Sequence, residues 1–414
     1  FFFFKQKTAY EIKECDWSSD VCSSDLPIDN VTRSNRRWII GYLIAALILF
    51  GTYQYLLPWQ NLPEGLYNFI NNWFPPMAIN ESLVYVIMAL GLNVVVGYAG
   101  LLDLGYVAFW AIGGYCCGWF MSEFFYFLNV HLFGSVTKDR PGIHINFWLV
   151  LVIGGLICAL FGILIGAPTL RLKSDYLALV TLGFGEIIPQ IFFNGEHFFG
   201  FNISNGTKGI VIVDPVPIGV KNLGPFDFGW KLVIFVFLTA LMVFVSLRLR
   251  KGRLGRAWLA IREDELAASM MGVPLMRTKL ASYAVGAFAG GVGGVAFATH
   301  INGVYAERFN FSISIFLLAM VVLGGMGNVW GVILSAFVLS WVNSTGLPAL
   351  GNAVNGKFGT HIDFPSFTFL IFGLVLIFMM LFKREGLIPE SRLKLMLHED
   401  DLDESDAENA EAKA

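Results

Sequence analysis

Apolar runs recur along this chain near residues 38–57, 79–97, 101–122, 147–167, 175–194, 231–247, 280–299, 314–345 and 366–382. About 20 apolar residues in a helix cross the ~30 Å hydrocarbon core of a bilayer. Lipid offers backbone N–H and C=O groups no partner, so such runs predict helices that satisfy their own backbone. The expected fold class is all-α, a polytopic transmembrane helical bundle. Composition agrees: 56% of the residues are hydrophobic and 14% are charged, against roughly 45–50% and about 25% in soluble domains. No basic, aromatic-studded segment suggests a nucleic-acid surface.

The run at 314–345 contains GGMGN at 324–328. It is too long for one ordinary span and too short for two full ones. Two shortened helices meeting at the glycines are expected, because irregular backbone at membrane depth must be buried in protein or line a cavity. Counting both gives about ten membrane segments, some broken or short. Basic residues mark the cytoplasmic side of membrane proteins. With the N-terminus inside, the cytoplasmic stretches 33–37, 171–173, 248–279 and 383–394 carry seventeen Lys and Arg, and the loops on the other side carry six. Merging 314–345 into one span would put Lys383 and Arg384 outside. The expected topology therefore has ten segments and both termini in the cytoplasm.

Residues 1–26, FFFFKQKTAYEIKECDWSSDVCSSDL, have neither the basic start nor the apolar centre of a signal peptide. They resemble translated sequencing-adapter sequence, and the transmembrane domain is expected over 27–390. Beyond it, 391–414 reads as an acidic, solvated and disordered cytoplasmic tail. Outside the first 26 residues the cysteines are Cys116, Cys117 and Cys158, all in apolar segments where the thiol behaves as a small hydrophobe. Neither a disulfide framework nor a zinc spacing is present.

Four stretches stand out. The first, GRAWLAIREDELAASMMGVPLMRTKL at 255–280, gathers Arg256, Arg262, Glu263, Asp264, Glu265, Arg277 and Lys279 in a chain otherwise poor in charge. Read as one helix over about 257–272, it turns Trp258, Ile261 and Leu266 toward the bilayer or neighbouring helices. Arg262, Glu263 and Asp264 then face water or another protein. Ala267, Ala268 and Gly272 form a small-residue surface for close approach, and Pro274 ends the helix. A plain interfacial amphipathic helix fits the pattern equally.

The second, 93–115, is dense in glycine. Gly113 and Gly114 suit close helix packing, whereas Gly97, Gly100 and Gly105 suggest an interrupted helix whose freed backbone groups bind a polar solute. Asp103, among apolar neighbours, is either functional or a cap at the membrane surface. In the third, 174–194, Glu186 follows Gly183 and Gly185 and needs a partner or water unless it lies at the outer end. The fourth, 195–230, is a long external loop rich in Gly and Pro, with β-branched runs able to form a small ordered cap. GNAVNGKF at 351–358 fits a phosphate-binding loop until Phe358, which stands where Ser or Thr must hold magnesium. His197, His300 and His361 are not at ligand spacing, and no Ser-His-Asp or Cys-His constellation is visible. A membrane enzyme therefore ranks last among the function classes.

LGLNVVVGYAGLLDLGYVAFWAIGGY, DYLALVTLGFGEI, LGRAWLAIREDELAASMMGVPLMRTKL and VVLGGMGN, in this order, closely resemble the M-type permease subunit of branched-chain amino acid ABC importers over roughly 80–390. The resemblance implies a permease moving Leu, Ile or Val from periplasm to cytoplasm. It implies pairing with an H-type permease subunit, two cytoplasmic ATPase subunits and a periplasmic binding protein. The chain would bind no cofactor or metal and catalyse nothing itself, with ATP and Mg used by the partner ATPases. Arg262, Glu263, Asp264, Glu265, Ala267, Ala268 and Gly272 would lie in the coupling helix that docks on an ATPase. Asn93, Gly97, Gly100, Asp103, Gly105, Thr181, Gly183, Gly185, Glu186 and Asn328 are the expected pathway residues. Asp103 stands where the family more often has a small or apolar residue, and 202–210 keeps only part of the usual glycine-rich external motif. Urea and short-amide importers share the superfamily, and broken helices with intramembrane carboxylates also describe ion-coupled secondary transporters. The charged helix favours the importer, since a transporter acting alone has no need of it.

Overall fold

A computed structural model describes residues 41–42, 72–132, 136, 139–172, 174–197, 200–218, 221–224, 227–358, 363–383 and 386–388. The adapter-like start, most of the run at 38–57 and the acidic tail lie outside the described residues. Helix α1 (Pro76–Asn93) begins on a proline, whose fixed φ and missing N–H suit the first helical position. It passes into a π turn at Val94–Tyr98. The chain is then irregular until α2 (Tyr106–Phe120), followed by α3 (Phe147–Thr169), α4 (Ser174–Phe193) and α5 (Phe228–Lys251). Two short helices, α6 (Arg253–Glu263) and α7 (Glu265–Met270), lead into α8 (Leu275–Ile301). The remainder is α9 (Phe311–Gly324), α10 (Val329–Trp341), α11 (Leu347–Phe358) and α12 (Thr368–Phe382).

Every apolar run inside the described residues thus carries a helix, and among those residues seven helical stretches are long and apolar enough to cross a membrane. The break at 324–328 is real, since α9 stops at Gly324 and α10 starts at Val329. The half beyond it is not shortened, however. Asn343, Ser344 and Thr345 end the apolar run without ending the helix, which continues through a π turn (Val342–Gly346) into α11. Such turns insert a residue without stopping the helix.

Helix α1 is the centre of the core. Side chains from Ala78 to Asn93 are almost all buried, and α5, α8 and α10 pack around it. Helix α8 passes α1, α2 and α3 on glycines, and a Cβ on Gly113 of α2 would lie 2.6 Å from Gly291 Cα. Small residues let membrane helices approach this closely, which accounts for Gly113. Exposed Leu156, Leu160 and Leu164 on α3, with Phe237 and Phe244 on α5, form apolar surface suited to lipid.

At one end of the bundle the connections form a cap of small sheets, an addition to the all-α expectation. Strands β1 (Met121–Ser122), β2 (Asn129–Leu132) and β3 (Gly142–Ile145) are ordered β1-β3-β2. Within the long loop, β4 (Ile210–Val211) pairs with β7 (Gly303–Val304), and β5 (Val216–Ile218) pairs with β6 (Lys221–Leu223). Buried His144 Nδ1 lies 2.8 Å from Asp214 Oδ2, and the Asp214 N–H donates to Met121 O at 2.8 Å. These bonds tie the loop to the first sheet. Burial pushes the Asp214 carboxyl above the usual range, and the His144 contact acts against that shift.

Candidate functional site

The interruption after α1 is held by groups from distant parts of the chain. Gly100 has φ +69°, a backbone that L side chains rarely adopt. From there the chain runs without helix to α2, whose first N–H groups have no helical acceptor. Three side chains accept these or the adjoining N–H groups: Thr181 Oγ1 from Leu104 N (3.1 Å), Asp103 Oδ1 from Gly105 N (2.9 Å) and Ser314 Oγ from Val107 N (3.0 Å). Asp103 is therefore buried as an acceptor at a helix start, where a negative charge is favourable. Gly105 lies against α4, its Cα 3.0 Å from where a Cβ on Gly185 would stand. Ser314 belongs to this arrangement, and nothing in FSISIFLLAM distinguishes it from Ser312 in the sequence.

The second interruption is stitched to the first. Asn93 Oδ1 accepts from Gly327 N at 2.9 Å, and a Cβ on Gly97 would lie 2.6 Å from the same nitrogen. Asn328 caps α10 by accepting from Trp330 N (3.0 Å), while its Nδ2 donates to Ile388 O (2.9 Å). The segment after α12 closes the arrangement, with Leu387 N donating to Leu323 O (2.8 Å) and Ile388 N to Gly324 O (3.3 Å). Asn93, Gly97 and Gly327 thus form one buried junction, with half-buried Asn328 beside it.

The expected pathway residues divide at α4. Thr181 and Gly185 face inward onto the non-helical segment before α2, as described above. Glu186 faces outward with Ile187, Gln190 and Asn194, and these residues line a shallow open groove. Gly183 has open space where a Cβ would stand. Glu186, Gln190 and Asn194 recur every four residues, which puts three polar groups in one stripe on a helix of membrane length. A carboxylate facing lipid near the middle of a helix costs about 2.5–3.5 kcal/mol on insertion scales. The stripe accordingly suits protein or water better than lipid.

The charged stretch is two helices rather than one. Asp264 has an extended backbone (φ −151°, ψ 114°), and its Oδ1 accepts from Leu266 N (2.8 Å) and Ala267 N (3.0 Å). Asp is a poor residue for a helix interior and a strong N-cap, so α6 ends there and α7 begins. Gly272, at φ +83°, follows α7, and Pro274 opens α8 rather than ending the helix before it. Trp258 and Ile261 are buried as expected, and Trp258 Nε1 donates to Thr278 O at 2.8 Å. Leu266 points the other way. It is 70% exposed, with Met270 and Met271 each 85% exposed, while Ala268 is only 4% exposed and packs inward. Of the small residues, Ala267 and Gly272 are on the surface. Glu263 is exposed, and Glu265 Oε1 accepts from Lys279 Nζ at 2.6 Å. Arg262 turns inward and donates from Nη1 to Gly97 O at 2.5 Å. Burial pulls its pKa below the usual arginine value, opposed by Glu263.

Residues 77–380 match the family model described as the permease component of the branched-chain amino acid transport system. The chain belongs to this family. The permease is 39% identical over 337 residues to the high-affinity branched-chain amino acid transport system permease protein LivM of Escherichia coli, covering 76% of this chain and 70% of that protein. It is 26% identical over 327 residues to a probable branched-chain amino acid transport permease protein LivM of Methanocaldococcus jannaschii, covering 74% and 91%. A nucleoside ABC transporter permease protein, NupC of Lactococcus lactis, is 24% identical over 274 residues, covering 62% of the permease and 76% of its own length. No solved structure matches the permease.

Proposed function

We propose that this permease is the M-type membrane subunit of an ATP-driven importer that carries Leu, Ile and Val from periplasm to cytoplasm. It works beside a second, homologous permease subunit, two cytoplasmic ATPase subunits that use ATP and Mg, and a periplasmic binding protein. The observation that carries the mechanism is the α6–α7 element. Leu266, Met270 and Met271 form an exposed apolar knob, next to exposed Glu263 and Ala267, on a turn anchored in the bundle by Trp258 and the Glu265–Lys279 pair. An apolar knob rimmed by charge suits a protein groove. Here that groove is on an ATPase subunit, which makes this end of the bundle cytoplasmic and the sheet cap periplasmic. Both termini are then cytoplasmic, in the inner membrane of a bacterium.

The outward stripe of α4 supplies half of the solute path, with the second permease subunit opposite. Glu186 can accept the ammonium of an amino acid, and Gln190 can orient either charged group. An aliphatic side chain adds only about 0.8 kcal/mol per buried CH₂, so discrimination among Leu, Ile and Val rests with the binding protein. The test is transport by the reconstituted complex in proteoliposomes. ATP with loaded binding protein should drive leucine uptake, with no response to an imposed ion gradient and no urea or acetamide transported. Gradient-driven uptake by this chain alone would make it a secondary transporter, and urea uptake in preference to leucine would overturn the substrate.

A further inference from the structure

The inward turn of Arg262 places the docking element and the first helix interruption in direct contact. Its guanidinium donates to the Gly97 carbonyl in the π turn that ends α1, where a helix offers unpaired carbonyls to a cation. Its aliphatic stem lies on Gly100, where an added Cβ would be 3.0 Å from Arg262 Cγ and 3.3 Å from Arg262 Cβ. Arg262 is followed two residues later by Asp264, the cap on which α7 starts. From Gly100 the non-helical segment reaches Thr181 of α4 through Leu104 N, on the helix that carries the Glu186 stripe. From α1, Asn93 reaches Gly327 in the second interruption.

Resting on the proposed importer, we infer that Arg262 is a positioning residue for coupling. It contributes nothing to the surface that meets the ATPase. Instead it transmits displacement of α7 to the Gly97–Gly100 turn, and from there to α4 and to the α9–α10 junction. Surface docking and transmission are thereby divided between adjacent residues, with Leu266, Ala267 and Met270 touching the partner and Arg262 touching the membrane core. Spatial continuity alone does not establish energetic coupling, so the decisive quantity is the number of ATP molecules hydrolysed per leucine imported.

That ratio is to be measured in proteoliposomes containing the whole complex, for the wild type, Arg262→Ala, Arg262→Lys and Gly100→Ala. Arg262→Ala should leave the complex assembled and hydrolysing ATP while raising the ratio about tenfold, within the usual range of coupling between sites. Arg262→Lys, which keeps a donor but loses the guanidinium's reach, should fall between. Gly100→Ala should raise the ratio by crowding the same contact from the other side. A wild-type ratio in Arg262→Ala overturns the inference. If that variant does not assemble, a wild-type ratio in both Arg262→Lys and Gly100→Ala overturns it instead. Absence of ATP-driven leucine uptake in the wild-type complex brings down the importer reading itself, which separates the two failures.

Discussion

The two helix interruptions of this permease solve one problem with different materials. Between α1 and α2, the freed backbone groups are met by side chains, those of Thr181, Asp103 and Ser314, with Arg262 on the Gly97 carbonyl. Between α9 and α10, the main partners are backbone: Leu387 and Ile388 donate to Leu323 and Gly324, and Asn328 provides a cap. Backbone pairing depends little on side-chain identity, whereas acceptors from α4 and α9 and a donor from the docking element hold only while those elements keep their places. The first junction is therefore expected to yield to movement of α4 or α7 more readily than the second.

The most damaging way to break this comparison is at the place where the two junctions touch. Gly97→Val would drive a side chain into Gly327 N and Asn93. Overpacking of this kind costs about 1–3 kcal/mol or more, and folded, monodisperse protein on size-exclusion chromatography should largely disappear. Next comes Thr181→Val, which keeps the shape but leaves the Leu104 N–H without its acceptor. An unsatisfied buried donor costs about 1–3 kcal/mol, so thermal unfolding in detergent should shift clearly downward and uptake should fall. Asn328→Ala removes the cap on α10 and the bond to Ile388 O. Its expected loss is about 1 kcal/mol, smaller than for Thr181→Val because the backbone pairs remain. A larger loss at Asn328 than at Thr181 would reverse the ranking of the two junctions. The smallest effect is expected for Glu265→Gln, whose half-exposed ion pair with Lys279 should be worth less than ~1 kcal/mol. Its unfolding temperature should stay near that of the wild type.

The elements of the fold were legible because membrane helices are written in long apolar runs, and GGMGN punctuates 324–328 with glycines that no ordinary helix needs. The continuation of α10 into α11 was not legible, because Asn343, Ser344 and Thr345 end the hydrophobic signal while the backbone keeps turning. The sheet over 121–145 was missed for a similar reason, since its short strands pair across loops. At the site, glycine density pointed to 97–105, but the acceptors that hold it did not show. Leu104 finds Thr181 across 77 residues, Val107 finds Ser314 across 207, and Arg262 finds Gly97 across 165. Contacts so distant leave no spacing to read. The division at Asp264 was visible in principle, because an aspartate before a short apolar stretch is a stronger cap than a helix-interior residue. Reading the charged stretch as one continuous amphipathic helix hid it, and with it the inward turn of Arg262 and Ala268.

The central claim is that both interruptions and the docking element share the cytoplasmic end of the bundle, with the sheet cap at the other. Cysteine labelling in intact cells tests it most directly. Cys15 and Cys22 would first be replaced by serine, leaving Cys116, Cys117 and Cys158, which are buried. Lys208→Cys, on the cap, should react with a membrane-impermeant maleimide added outside once the outer membrane is opened. Met271→Cys, on the exposed knob, should react only after the inner membrane is also permeabilised. Labelling of both positions from the same side would contradict the account.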